Sequence, residues 1–255
     1  MFFTPCRPRF RRRPASPLRW WVAVLGLGLV ANLAAADPGA DDLAARRWAQ
    51  YESAFQAFAE ADRVQPPVRG GIVFVGSSIF RQWAELSEQM APLPVLNRAF
   101  GGSRTADQLA RFEQTLLPYA PRLIVYYCGS NDLNAEHSPA EIAANVHAFA
   151  TRVRDRLPDT QVYFTSILRA PQKEAKWDQV DAANALVRDF CSTEVRWHFI
   201  DLNPAVFDAA GKPLVELYRG DLLHYQPPAY AAFAAILRPV LERAWAQLGP
   251  LSPLP

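Results

Sequence analysis

Hydrophobic residues follow two rhythms along this chain. Near-continuous apolar runs at 72–75, 95–99, 123–128, 162–168 and 197–202 are rich in β-branched and aromatic side chains and read as strands. Between them, apolar positions recur at helical spacing over about 41–61, 79–90, 104–117, 138–157, 174–191 and 227–247. In the first of these helices Trp48, Tyr51, Phe55 and Phe58 share one face, and Pro66-Pro67 closes the segment. Strands that are apolar on both faces and alternate with helices imply a parallel sheet covered on each side, the α/β class. In such sheets a ligand site lies beyond the carboxyl ends of the strands. Those ends carry Gly76-Ser77-Ser78, Phe100-Gly101-Gly102, Gly129-Ser130-Asn131-Asp132, Arg169 and Asn203-Pro204.

Composition changes this picture mainly at the N-terminus. With 50% hydrophobic and 20% charged residues, the 255-residue chain has globular rather than disordered or fibrous composition. Residues 1–36 carry six arginines and no acid, an apolar run from Trp20, and Ala34-Ala35-Ala36 just before Asp37. Basic region, apolar region and small-residue site are the parts of an export signal, so a periplasmic or extracellular location is expected. An uncleaved membrane anchor is the alternative, because Trp20 to Ala36 falls only slightly short of a span. Without that segment the remainder has 21 basic and 25 acidic residues, a net −4. The basic isoelectric point thus belongs to the leader and does not argue for nucleic-acid binding. Cys6 lies in the leader, and Cys128 and Cys191 read as two separate buried thiols whose pairing spacing alone cannot decide.

The strand ends supply the parts of a serine hydrolase. Ser78 begins a helix, where a hydroxyl is exposed, although an N-cap serine would look the same, and Ser77 competes as nucleophile. Gly102 lets backbone approach a ligand, and Asn131 offers a neutral donor, but either also suits a simple turn. Asp221 and His224 stand three apart, a spacing at which a carboxylate reaches an imidazole across a turn. Neither His-Glu-x-x-His, Cys-x-x-Cys nor a Walker sequence occurs, so no metal or cofactor is expected.

Taken in order, Gly76-Ser77-Ser78-Ile79, Asn97 to Gly102, Gly129-Ser130-Asn131-Asp132 and Asp221-Leu222-Leu223-His224 resemble the four blocks of the SGNH hydrolases, the GDSL-type esterases. The resemblance covers about 71–245 and implies a three-layer α/β/α sandwich with a five-stranded parallel, flavodoxin-like sheet. It also implies Ser78 as nucleophile, His224 as base, Asp221 as its orienting acid, and an oxyanion hole from Ser78, Gly102 and Asn131. Ser77 stands where that family often has aspartate, a departure that removes no catalytic role. The expected organisation is a leader at 1–36, a helix and linker at 37–70, the hydrolase domain at 71–247 and a tail at 248–255. The expected activity is hydrolysis of a small-molecule, lipid or glycan ester through an acyl-serine. Acyl transfer to a glycan hydroxyl and an inactive carbohydrate- or lipid-binding module are the competing readings. Arg104, Arg169 and Trp177 are candidates for substrate contact.

Overall fold

The computed structural model describes residues 38–249, with side chains from Trp48 onward; the expected leader at 1–36 lies outside the described residues. Five strands, β1 (Ile72–Gly76), β2 (Val95–Asn97), β3 (Leu123–Tyr127), β4 (Gln161–Thr165) and β5 (Trp197–Ile200), form one sheet in the order β2-β1-β3-β4-β5. Every pairing is parallel. The class and strand count are those the hydrophobic rhythm implies.

Alternate strand residues feed two cores, which is why the strands are apolar throughout. Ile72, Phe74, Leu123, Val125 and Tyr127 face a cluster closed by Phe80, Trp83, Tyr230, Phe233 and Leu237. Val73, Val75, Ile124, Tyr126, Val162 and Phe164 face a second, closed by Phe112, Val146, Phe149, Val153 and Val187. The helices are α1 (Pro38–Val64), α2 (Ser78–Arg81), α3 (Leu86–Gln89), α4 (Thr105–Ala110), α5 (Phe112–Thr115), α6 (Ser130–Asn134), α7 (Pro139–Arg156), α8 (Trp177–Thr193) and α9 (Pro227–Gln247). The compact unit begins at Ala44 and so takes in most of α1.

The differences from the expected elements have local causes. The single helix expected over 79–90 breaks after Arg81, which lets Trp83 bury against Phe74, Phe80, Tyr230 and Phe233. The helix expected over 104–117 bends at Arg111, whose guanidinium lies 4.8 Å from the Trp48 ring centre and 5.1 Å from that of Phe55. Strand β2 stops at Asn97 because that side chain donates to the Phe80 carbonyl (2.7 Å) and accepts from the Ala99 N–H (3.0 Å), turning the chain out of the sheet. The one-turn helix α6 falls where only a polar turn is legible in the sequence.

The strand order reverses beside β1: the chain steps outward to β2, then returns past β1 to β3. A sheet opens a crevice at such a reversal, beyond the strand carboxyl ends. The loops after β1, β2 and β3 meet there.

Candidate active site

Strand β1 ends at Gly76, with φ +139°. A Cβ there would sit 1.9 Å from the Tyr127 carbonyl oxygen of β3, so the position admits only glycine. The next two residues part company. Ser77 is buried and its N–H donates to the Tyr127 carbonyl (3.1 Å). Ser78 opens α2 with its hydroxyl toward the crevice, 2.9 Å from His224 Nε2. Geometry therefore selects between the two serines.

His224 is held by the loop that precedes α9. One Asp221 oxygen accepts the N–H groups of Leu223 (3.0 Å) and His224 (2.9 Å), while the other lies 2.6 Å from His224 Nδ1. The carboxylate thus requires the ring proton on Nδ1 and leaves Nε2 as an acceptor facing Ser78. These bonds hold the Asp221 carboxyl down at about 2, the imidazole contact being the largest cause and the His224 N–H the next. The loop itself is clamped by a Tyr218–Tyr225 bridge and by Arg219 Nε donating to the Tyr225 carbonyl (2.9 Å). Serine hydroxyl, imidazole and carboxylate form a continuous hydrogen-bonded chain.

Two backbone N–H groups, of Ser78 and of Gly102, have no acceptor among the described residues. Gly102 adopts φ +77°, a left-handed conformation that favours glycine. The Asn131 amide, at the start of α6, directs one Nδ2 proton to the Ser103 carbonyl (3.0 Å), and the residue lines the crevice. An amide nitrogen carries a second donor, and Ser78, Gly102 and Asn131 all line the same crevice.

Buried polar bonds brace this arrangement. Asp132 accepts the Thr105 N–H with both oxygens (3.0 and 3.1 Å), tying α6 to α4; burial pushes its carboxyl up, against the pull of those bonds. Gln108 Nε2 donates to the Gly76 carbonyl (3.0 Å) and to Ser103 Oγ (2.8 Å). Tyr51 of α1 packs edge-on to Phe100 and places its hydroxyl 2.9 Å from the Asp107 carboxylate and 3.2 Å from the Gly102 carbonyl. Lys173 is buried and donates to both the carbonyl (2.7 Å) and the hydroxyl of Ser130, the residue before Asn131.

Residues 73–232 match the family model of the GDSL-like lipase/acylhydrolase family. The chain belongs to that family. A curated relative, the platelet-activating factor acetylhydrolase IB subunit beta homolog of Drosophila melanogaster, is 24% identical over 176 residues, 67% of this chain and 76% of the relative. Among solved structures, a Streptococcus pneumonia protein described as a platelet activating factor superposes with TM-score 0.67 at 20% identity, covering 80% of this chain and 100% of that one. A GDSL-like lipase from Bacteroides thetaiotaomicron gives 0.61 at 19% identity, covering 74% and 98%. An acetylxylan esterase from Geobacillus stearothermophilus, in a catalytic mutant, gives 0.55 at 13%, covering 67% and 93%. At these identities the structures share the fold.

In this GDSL-like chain the crevice is a cavity of about 670 Å³ lined by Ser78, Gly102, Asn131 and His224. One wall comes from α1, through Gln50, Ser53, Ala54, Ala57 and Phe58, and another from Arg81 and Gln82. None of the expected substrate contacts lines it. Arg169 makes a two-pronged ion pair with Asp181 (Nε to Oδ1 2.7 Å). Trp177 Nε1 donates to the Ala170 carbonyl (3.0 Å) and its ring packs on Phe207. Arg104 has its guanidinium 3.4 Å from His137 Nε2. Each is occupied by a neighbour in its own part of the fold, which spacing along the chain does not reveal. The α1 wall was missed for a related reason: its helical period is plain, but not what its polar face borders. Among the described residues no group of His, Cys, Asp or Glu is arranged to hold a metal.

Proposed function

We propose that the protein is a serine ester hydrolase that works through an acyl-Ser78 intermediate. The observation that carries this reading is the line Asp221–His224–Ser78, with contacts of 2.6 and 2.9 Å and unpaired N–H donors beside it. Ser78 Oγ attacks the ester carbonyl as His224 Nε2 takes its proton. The carbonyl oxygen, now negative, accepts from the N–H groups of Ser78 and Gly102 and from Asn131 Nδ2. Collapse expels the alcohol, which takes the proton from His224. Water then enters, gives a proton to His224 and attacks the acyl carbon; Ser78 leaves reprotonated.

Bonds to His224 hold the Asp221 carboxyl down at about 2, so the carboxylate that orients the imidazole is ionised at neutral pH.

The family supports an ester substrate of small-molecule size. The names of two relatives, an acetylhydrolase and an acetylxylan esterase, favour a short acyl group. The leader at 1–36 supports export, with membrane anchoring as the alternative.

The test uses protein from Asp37 onward and its Ser78→Ala variant against p-nitrophenyl esters of increasing chain length. Hydrolysis that disappears in the variant and declines with chain length is expected. A fully active Ser78→Ala protein would sink the assignment. Well-folded wild type that releases no nitrophenol, even with a sugar acceptor present, would favour the binding module.

A further inference from the structure

Among the residues that line the crevice, Arg81 carries a charge that nothing balances. The lining has no Asp or Glu side chain. The Arg81 guanidinium has no ion pair or hydrogen bond among the described residues; its backbone N–H donates to the Ser77 carbonyl (3.0 Å). It stands one helical turn after Ser78 on α2. Its Nε lies 2.6 Å from where a Gly101 side chain would begin, so the guanidinium lies beside the glycine pair while the residue stays exposed at the edge of the cleft. Next to it, the half-buried Gln82 also lines the cavity.

From this we infer that Arg81 forms a subsite for an anionic group, and that the natural ester carries a carboxylate or phosphate. The guanidinium binds the anion. The inference rests on the esterase reading and names its substrate class. With a net −4 on the chain beyond the leader, general attraction of anions does not account for such binding. The selectivity is local to the cleft.

The experiment compares three acetyl esters of one shape: 4-acetoxybenzoate, 4-acetoxyphenyl phosphate and the neutral methyl 4-acetoxybenzoate. Wild type, Arg81→Gln and Arg81→Lys are assayed on each, and variant-to-wild-type ratios of kcat/KM cancel intrinsic reactivity. Arg81→Gln is expected to cut kcat/KM for one or both anionic esters roughly five- to tenfold more than for the methyl ester, the range between an exposed ion pair and a charged hydrogen bond. Arg81→Lys restores part of the difference, and added salt narrows it in wild type. The more affected anion tells carboxylate from phosphate. Equal losses on all three esters overturn the subsite and make Arg81 a general support of the oxyanion. Binding of the same esters to Ser78→Ala protein, followed by NMR titration, separates the two hypotheses. Arg81-dependent binding of the anions without wild-type turnover keeps the subsite and fails the esterase; turnover without that dependence does the reverse.

Discussion

At the scale of single residues, the segment 169–177 shows how a surface-looking sequence turns inward. Arg169 and Trp177 have the chemistry of a substrate wall, yet Lys173 between them does the structural work. Its ammonium is buried under α6 and donates to Ser130, which sets the start of the turn that presents Asn131. Burial, helped by repulsion from Lys176 and opposed by Asp132, lowers its pKa to about 8 from 10.5. Below pH 8 the residue is charged in the folded and unfolded chains alike, and the full burial cost is present. Between 8 and 10.5 the unfolded chain holds a proton that the folded one has released, so stability gains with pH across that window. Lys173→Met removes the titration. In urea unfolding, the stability of wild type relative to this variant should rise from pH 8 to 10.5 and be level below 8. The same variant should lose severalfold in kcat, because Ser130 is no longer held. A pH-independent difference would mean that Lys173 is solvated in the folded protein.

At the scale of elements, α1 is the instructive case. The spacing of Trp48, Tyr51, Phe55 and Phe58 is enough to predict an amphipathic helix, and the helix is there. The sequence reading set it apart from the hydrolase domain at 37–70. In the fold it is a wall of the cleft and a brace for the oxyanion loop, through contacts spanning 51 and 56 residues. Arg98 joins Asp62 of α1 and Tyr119 in the same brace. Contacts so distant in sequence leave no periodic trace. Tyr51→Phe keeps the ring on Phe100 and deletes the hydroxyl. The buried Asp107 carboxylate then loses a donor, and stability should fall by about 1–3 kcal/mol in denaturant melts. The kcat should fall with KM nearly unchanged, since Gly102 is displaced and the cleft walls are not. An unaltered kcat would remove α1 from the support of the oxyanion loop.

At the scale of the whole molecule, the doubly covered sheet governs the reactivity of its thiols. Cys128 and Cys191 are free and buried, both packed in the core on the Val73–Val75 face. Burial pushes the Cys191 thiol up to about 12, and that of Cys128 well above its ordinary value. Thiolate is the reactive form. Native protein from Asp37 onward should therefore leave both thiols unlabelled by a chromogenic disulfide reagent at pH 8, and urea should expose both. Rapid labelling of either in the native state would show local opening of this core.

The sequence by itself determined the class of the fold, the number of strands, the strand ends at which Ser78, Gly102 and Asn131 stand, and the polar turn before the last helix that holds Asp221 and His224. These are local matters: apolar period, glycine at a turn, and a carboxylate three residues before an imidazole. It did not determine where helices break, because Trp83 and Arg111 break them for partners far along the chain. Period and turn chemistry did not separate Ser77 from Ser78; that choice came from the family resemblance. Tertiary structure put Ser78 and not Ser77 beside His224 and left Arg169 and Trp177 out of the cleft lining. It also placed Lys173 under α6 and brought α1 and Arg81 to the cavity. The physical reason is one of range. Period and turn chemistry act over a few residues, whereas burial and charge pairing depend on neighbours that only the closed fold supplies.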